Sequence, residues 1–344
     1  MNTPLLPNGI VVSSDLSATD KESIRIFFQG ADHPSHFNNP AWAELAEPYK
    51  KHLFVRFYEN GRLTAIATVY TRMSLCTVHF GPMVEELKRL DYYLAQLVRY
   101  LRENKFGLLF LEVKSDREID TSSFSKKGAW NTILISLEGR TSQDIFQTFS
   151  KGHRSAIKKA YKEGLEARFI SDSALLEQLA KIYDDMHFRK GLVLPLPDSK
   201  ASFCKIAEEK LGVVIGIFKQ DQLVGGIICV SEGQSLLYKF GATDFMQHHL
   251  PILHIAIFEM IKYALKTNHI TVDLCGFTPN AKSGSYASGI NTFKKGFGGE
   301  VVEFSRSYIV KLNFVKATYL AFALIMIRII PSYILRLIYK VRLR

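Results

Sequence analysis

The sequence contains few cysteines, and none is placed for a metal site or a disulfide framework. The four cysteines (Cys76, Cys204, Cys229 and Cys275) lie far apart and form no Cys-x-x-Cys pair. Structural zinc sites and disulfide-rich scaffolds both need cysteines at short spacings. Two adjacent histidines, His248 and His249, have no third ligand near them in the sequence. We therefore predict no metal and no other cofactor.

The chain also lacks a long uncharged apolar run. Residues 317–327 carry no charge, but Arg328 interrupts them, whereas a membrane-spanning helix needs about 20 apolar residues. The N-terminal segment MNTPLLPNGIVVSSD has no basic start and no long apolar core, so no signal peptide is predicted. We expect a cytoplasmic protein.

Acidic residues are absent from the C-terminal segment 311–344. Seven of the net +11 charges of the chain lie there, which leaves 11 − 7 = +4 for the rest. After Pro331, apolar residues and cations fall on different sides of a possible helix. A basic amphipathic helix of this kind suits an anionic bilayer, although it could instead pack on the protein body. We predict that 311–344 holds the protein on the inner face of the cell membrane.

A unit of about 160 residues occurs twice in the sequence. Each copy predicts an antiparallel hairpin, a third strand, a helix and a buried strand. The matching positions are Asn60-Gly61 with Gln220-Asp221, Leu63 with Leu223, and Phe80-Gly81 with Phe240-Gly241. A repeat of this length predicts two copies of one α/β unit.

A basic segment joins the two copies. We predict one helix over residues 142–163, whose second half carries cations and no acid. Arg154, Lys158 and Lys162 are spaced at i, i+4 and i+8, so they lie along one helix face. This face either is simply solvated or contacts phosphate groups. The candidate phosphate- or tRNA-binding residues are Lys151, Arg154, Lys158 and Lys162.

The segment DLCGFTPNAKSGSYASGINTFKKGFGG (273–299) is the main candidate for a functional site. It leaves an apolar strand, continues as a loop rich in Gly, Ser, Pro and Asn, and reaches a cationic pair between aromatic residues. Glycine-rich loops often lie where a backbone approaches a ligand closely. Cations beside aromatic rings suit an oxyanionic ligand, although a solvated surface loop would look similar.

Several segments together resemble the FemABX-type peptidyltransferases over residues 37–310. The segments that carry the resemblance are FSKGHRSAIKKAYKEGLEARF (149–169), MHFRKG (186–191), FKQDQLVGGIICV (218–230), HHLPILHIAIFEMIKYALKTNHITVDLCG (248–276) and SGINTFKKGFGGEV (288–301), with weaker matches in FNNPAWAEL (37–45) and VHFGP (78–82). The resemblance implies an α/β (α+β) protein with two tandem GNAT-like acyltransferase domains. We expect these at 1–140 and 141–310, before the tail at 311–344.

The resemblance also implies the substrates and several site residues. The donor would be an aminoacyl-tRNA, and the acceptor an amine on a lipid- or nucleotide-linked muropeptide. Phe293 and Lys294 match the family's Phe-Lys pair near the reacting ester, and Arg189 matches a basic residue associated with acceptor phosphate. The further candidates for substrate binding are Trp42, Tyr238, Gly289 and Lys295. Ala46 stands where the family often has a phosphate-binding lysine, which Lys50 or Lys51 could replace.

Aminoacyl transfer to an amine requires stabilisation of a tetrahedral oxyanion. Lys294 is our candidate for that role. Asp273 could relay a proton, or it could only cap the loop. Tyr238 could donate to the substrate, or it could be a packing residue of the strand.

Two other functions remain open on the sequence. The first is an acyl-CoA-dependent N-acyltransferase acting on a cell-envelope polysaccharide or lipid-linked sugar. CoA-using GNAT domains have a glycine-rich turn before the helix that follows the third strand, and neither PMVEELKR (82–89) nor MQHHLPIL (246–253) has those glycines. The second is a non-catalytic membrane-bound protein that binds RNA or glycan.

Overall fold

The computed structural model describes residues 9–46, 51–115, 119, 124–191 and 198–319. Within these residues, thirteen strands form one mixed sheet. The strands are β1 (Gly9–Ser13), β2 (Lys51–Glu59), β3 (Arg62–Arg72), β4 (Leu75–Val78), β5 (Met83–Val84), β6 (Leu108–Lys114), β7 (Phe124–Ser136), β8 (Leu165–Phe169), β9 (Gly212–Lys219), β10 (Gln222–Glu232), β11 (Ser235–Thr243), β12 (Thr271–Asp273) and β13 (Glu300–Lys311). The α-helices are α1 (Ala18–Gly30), α2 (Pro40–Ala46), α3 (Leu90–Glu103), α4 (Ser142–Thr148), α5 (Lys151–Lys162), α6 (Ser173–Arg189), α7 (Ser199–Glu208), α8 (Ile252–Lys266) and α9 (Tyr286–Lys295).

The predicted repeat is confirmed in the order and pairing of these elements. The first copy consists of β2, β3, β4, α3 and β6, and the second of β9, β10, β11, α8 and β12. In both hairpins the two turn residues have positive φ, at 50° and 76° for Asn60-Gly61 and at 49° and 63° for Gln220-Asp221. Two central residues with positive φ are typical of the tight type I′ hairpin turn. In each copy the third strand pairs in parallel with the last strand.

Two strands are exchanged at the centre of the sheet, where the order is β4-β6-β13-β7-β12-β11. The last strand, β13, runs antiparallel between β6 and β7, and β7 in turn pairs with β12 of the second copy. Tyr308 and Val310 of β13 therefore lie in the apolar core of the first copy. Ile133 and Ile135 of β7 lie in the core of the second. The copies share one sheet, and the domain division at residue 140 stays a prediction.

Two segments differ from the sequence-based expectation. The helix predicted over 142–163 is divided into α4 and α5, because Phe149 is extended and the Ser150 hydroxyl caps a new helix by accepting from the amide of His153 at 3.3 Å. The segment at 286–295, expected as part of a loop region, forms α9. Its N-terminus is capped by Ser285, whose hydroxyl accepts from the Ser288 amide at 3.2 Å. Side-chain caps of this kind are strong helix start signals.

The predicted C-terminal tail is described only at its beginning. Residues 314–319 are helical, and the remainder of the tail, 320–344, lies outside the described residues. Among the residues that are described, no helix combines the length and the apolar character needed to cross a membrane.

Candidate active site

The candidate site lies where β11 and β12 separate. Their parallel pairing ends at Leu237 opposite Asp273, while β11 continues to Thr243. Beyond this point the two backbones diverge, with Tyr238 and Lys239 on one side and Cys275 and Gly276 on the other. Strands that part in this way leave backbone groups available to a side chain or a ligand.

Lys294 of α9 lies at this separation, on the side of the residues that follow β12. The residue is 8% exposed, and its Nζ donates to the carbonyl oxygens of Cys275 and of Gly276, the latter at 2.9 Å. Both residues have positive φ, 54° and 39°, in the turn that holds these carbonyls. Burial lowers the pKa of Lys294, while the neighbouring Cys275 and Asp273 act in the opposite direction. An ammonium group has three N–H donors, so these two bonds leave a third for a substrate oxygen.

Asp273 is fixed by groups of the protein itself. Its Oδ1 accepts from the Thr132 hydroxyl on β7 and from the Cys275 amide at 2.6 Å. Burial raises the pKa of Asp273, and the two hydrogen bonds counteract that effect. This geometry is that of a carboxylate capping the loop, the alternative that the sequence left open. Its role in proton transfer stays a prediction.

Phe293 belongs to an aromatic cluster that joins α9 to the basic helix α5. Its ring centroid lies 5.0 Å from that of His254 and 5.3 Å from that of Phe297. Its carbonyl oxygen lies 2.7 Å from His153 Nε2, and His153 Nδ1 lies 3.0 Å from the Ser150 hydroxyl oxygen. A carbonyl can only accept, so Nε2 carries the proton and Nδ1 accepts from Ser150. Burial, helped by His153, lowers the pKa of His254 to about 4, which keeps this ring neutral at pH 7.

The basic residues of α5 fall into two groups. Lys151, Lys158 and Lys162 are exposed. Arg154 instead donates to the carbonyl oxygens of Gln147 at 2.9 Å and of Phe149 at 2.5 Å, so it caps the C-terminal end of α4. The predicted phosphate contact is therefore available from the three lysines, whereas the guanidinium of Arg154 is already engaged.

The remaining candidates on the second copy lie at different depths. Arg189 is exposed at the end of α6, with its guanidinium 4.4 Å from the Phe245 ring centroid. Lys295 is exposed beside the Phe277 ring. Tyr238 is partly buried and packs against the core of the second copy, as its packing alternative predicted. Gly289 is exposed on α9, and a Cβ added there would meet no atom within 4 Å, so no close approach requires glycine at this position.

Trp42 lies at the contact between the two copies. It is 2% exposed and packs with the apolar cluster of α6, α7 and β10. The side chain of Ala46 and all of Lys50 lie outside the described residues, and Lys51 is exposed at the start of β2. Trp42 and His36 line a cavity of about 760 Å³ between α1, α2 and the second copy, and lysines 21, 205 and 210 also line it.

A buried polar network beside Trp42 was not predicted from the sequence. Glu232 accepts from the amide and Nδ1 of His36 at 2.8 and 2.7 Å and from Lys114 Nζ at 2.6 Å. His36 Nε2 in turn lies 3.0 Å from Lys239 Nζ. The four residues come from four separate segments, so no local sequence pattern could have grouped them. The signal available was the presence of charged residues inside or at the ends of apolar strands.

The comparisons with known proteins give no sequence match, since no protein-family model and no curated protein matches the chain. The structure is similar to that of FemX, with a TM-score of 0.70 and 14% identity over 87% of this chain and 97% of the FemX chain. The chain has a FemABX-type fold. The predicted fold class, two tandem GNAT-like units with mixed strands, is thus confirmed.

Two further solved structures are similar to this chain. The C-terminal domain of a putative lysylphosphatidylglycerol synthetase from Agrobacterium fabrum has a TM-score of 0.63 at 12% identity, covering 91% of this chain and 98% of that one. A tandem GNAT protein from the clavulanic acid biosynthesis pathway has a TM-score of 0.50 at 10% identity, covering 89% and 99%. At such identities the similarity concerns the fold.

Two glycines of the 288–301 motif provide a direct test of the contact between α9 and α5. A Cβ on Gly296 would lie 2.0 Å from a ring atom of His153. We expect Gly296→Ala to destabilise the protein by roughly 1–3 kcal/mol, because the ring must move from its packed position. Gly289→Ala, on the exposed face of the same helix, should be neutral or stabilise by up to about 1 kcal/mol.

Urea unfolding of both variants measures the difference. Equal urea midpoints for Gly296→Ala and Gly289→Ala would contradict the close packing of the His153 ring on Gly296.

Proposed function

We propose that the protein is an aminoacyltransferase that moves an amino acid from an aminoacyl-tRNA to an amine of a peptidoglycan precursor or a related lipid-linked cell-envelope acceptor. The observation that carries this proposal is the Lys294 ammonium, held on two carbonyls where β11 and β12 separate. It occupies the motif position of the FemABX-type Phe-Lys pair. The FemABX-type fold supports the assignment. One structural neighbour is named as a putative synthetase of an aminoacylated phospholipid, which supports a lipid-linked acceptor.

In aminoacyl transfer, the protein has to position the two substrates and stabilise the developing negative charge. The neutral acceptor amine attacks the ester carbonyl carbon, and a C–N bond forms while the carbonyl oxygen becomes an oxyanion. The third N–H of Lys294 donates to that oxygen. Collapse of the intermediate breaks the C–O ester bond. The departing ribose oxygen gains a proton and the new amide nitrogen loses one, so the products are an amide and uncharged tRNA.

The helix starts that would hold a CoA pyrophosphate favour the tRNA donor. In the second copy, the residue before α8 is Pro251, which has no N–H, and the amides of Ile252 and His254 already donate to nearby carbonyls at 2.9 and 3.2 Å. In the first copy, the Leu87 amide before α3 donates to the Asp32 carboxylate at 2.7 Å. Pyrophosphate binding at a helix N-terminus needs available amides and no competing anion.

The exposed lysines of α5 supply a surface for the tRNA backbone. Lys151, Lys158 and Lys162 lie on a helix that contacts α9 through His153 and Phe293. Phosphate contacts by lysine position a nucleic acid without reading its sequence. The contact of His153 with Phe293 brings the lysine surface of α5 to the helix that carries Lys294.

The acceptor and the tail fit a location at the membrane surface. Phe314, Val315 and Tyr319, at the start of the tail, are 73%, 76% and 69% exposed. Exposed apolar side chains followed by a basic segment are typical of helices that lie on an anionic bilayer. We propose that the protein binds the inner face of the cell membrane through this tail.

A donor screen tests the function. Purified protein is incubated with muropeptide precursor and either a mixture of charged tRNAs or acetyl-CoA, and mass additions to the acceptor are measured. We expect a product with charged tRNA and none with acetyl-CoA. Lys294→Met should lower the transfer rate by about 10²–10³-fold, as expected for removal of one oxyanion donor. Lys266→Met is the control, because it removes an exposed lysine from the last turn of α8, outside the candidate site, and it should keep the rate within about threefold.

Turnover with acetyl-CoA alone would exclude the proposed donor. Equal loss of rate in the two lysine variants would exclude the specific role of Lys294. The Lys294→Met variant should also lose about 1–3 kcal/mol of stability, because two loop carbonyls lose their donor, so rates are compared well below its unfolding temperature.

Removal of residues 320–344 tests the tail. This cut keeps β13 and the buried Leu312. We expect the full chain to sediment with vesicles containing anionic phospholipid and the shortened chain to stay in the supernatant, since each basic residue near such a surface contributes about 1 kcal/mol. Binding of the full chain should weaken as salt increases. Undiminished binding by the shortened chain would refute the membrane role of the tail.

A further inference from the structure

Lys239 is a second cation at the site, and the transfer chemistry assigned to Lys294 does not use it. It lies on β11, two residues beyond the last β11–β12 pair, and is half-buried. Its Nζ lies 4.7 Å from the ring centroid of Phe37 and 5.4 Å from that of Trp42. Aromatic rings at these distances favour the charged form of lysine. Burial lowers the pKa of Lys239, and Cys275 and Glu232 counteract that effect.

The network behind Lys239 fixes how its ammonium is oriented. Burial alone would raise the pKa of Glu232, but Lys114 and His36 hold it below the usual range of a carboxyl group. The ionised Glu232 accepts from His36 Nδ1, so Nε2 carries no proton and accepts from Lys239. Burial, assisted by Lys239, lowers the pKa of His36 to about 4. His36 is therefore neutral at pH 7. Among the described residues it is the one hydrogen-bond partner of Lys239 Nζ, which leaves two N–H donors.

The acidic side chains that face Lys239 are all engaged elsewhere. Glu232 is paired with Lys114. Asp273 accepts from Thr132 and the Cys275 amide. Glu112 is hydrogen-bonded to His79 at 2.7 Å. Lys239 thus has three carboxylates in its neighbourhood but none in direct contact.

Lys239 and Lys294 lie on the two sides of the same strand separation. Lys294 Nζ donates to the carbonyl of Cys275, and Lys239 follows Leu237 by the same two residues that separate Cys275 from Asp273, the partner of Leu237. Both cations counteract the rise that burial causes in the pKa of the Cys275 thiol. Lys294 has two backbone carbonyls as partners and Lys239 a neutral imidazole, so neither has a carboxylate partner among the described residues. Buried charges are normally paired, and two neighbouring cations without one favour an anionic ligand.

We propose that Lys239 is a second substrate-binding cation of this site, which binds an oxyanion group, a phosphate or a carboxylate, of one of the two substrates beside Lys294. His36 and Glu232 are positioning residues, because they direct the Lys239 ammonium without touching the ligand. The site itself stands on the geometry of the chain. The assignment of the oxyanion to a substrate rests on the proposed function.

Inorganic phosphate is the first probe, because it needs no assumption about the reaction. Its affinity for the full chain is measured by calorimetry at constant ionic strength. Lys239→Gln removes the charge and keeps a donor for His36 Nε2. Lys239→Met removes both. Lys262→Met is the matched control, since Lys262 also lies beside two aromatic rings and a carboxylate, Glu259, but on α8.

We expect saturable phosphate binding that is about tenfold to hundredfold weaker in Lys239→Gln and unchanged in Lys262→Met, the range for loss of a charge-assisted hydrogen bond. Absence of phosphate binding by the unmodified chain, or equal affinity in Lys239→Gln, would overturn the proposal. If Lys239→Met does not fold, the phosphate affinity of Lys239→Gln alone tests the proposal.

Kinetics then identify which substrate carries the oxyanion. Lys239→Gln should raise the KM of one substrate at least tenfold and keep kcat within about threefold. A change in the KM of aminoacyl-tRNA assigns the group to the donor, and a change in the KM of the muropeptide assigns it to the acceptor. If Lys239→Gln leaves both KM values unchanged and only lowers the thermal stability, Lys239 has a structural role and does not bind substrate. If no donor supports transfer, the proposed function fails, whereas the phosphate measurement still decides the role of Lys239.

Discussion

The insertion of β13 between β6 and β7 is the constraint on which the site depends. It joins the two copies into one sheet, and it also fixes α9, which immediately precedes β13. The connection is tight: Gly298 has a φ of 74°, and a Cβ on Gly299 would lie 2.6 Å from Ile133 on β7. Since Lys294 is in the last turn of α9, the central strand exchange determines where its ammonium lies.

The electrostatics of the site follow from the same arrangement. Two lysines, Lys239 on β11 and Lys294 on α9, lie at the place where β11 and β12 diverge, and Lys294 donates to the Cys275 carbonyl there. Burial lowers the pKa of the nearby histidines His36, His153 and His254. For His36 and His254 the pKa falls to about 4, so these two rings are neutral at pH 7 and act as hydrogen-bonding and packing groups. The result is a partly buried cationic site of the kind that stabilises developing negative charge.

Much of the architecture could be predicted from the sequence. The tandem fold could be predicted from the two hairpin turns, which are 160 residues apart, and from the resemblance around Lys294. Turn chemistry and strand patterns are local properties of a sequence. The division between α4 and α5 could not be predicted with the same rules, since the helical pattern continues through Phe149. Gly289 was a candidate for substrate binding because it is a glycine in the motif, whereas in the structure a Cβ added there would meet no atom within 4 Å.

The site could be predicted only in part, for a topological reason. Phe293, Lys294 and Asp273 lie within one segment, so a motif could group them. His36, Lys114, Glu232 and Lys239 come from both copies and meet only because the copies share a sheet. His153 similarly contacts Phe293 across 140 residues of sequence. Long-range polar clusters of this kind are recognised once the strand order is known.

The central claim is that the ester of the donor reacts beside Lys294, at the separation of β11 and β12. A crystal structure with a stable 3′-aminoacyl-adenosine analogue, in which an amide replaces the ester, tests this most directly. We expect the aminoacyl carbonyl oxygen at about 2.7–3.1 Å from Lys294 Nζ. An analogue bound at another place on the chain, with Lys294 contacting only the carbonyls of Cys275 and Gly276, would contradict it.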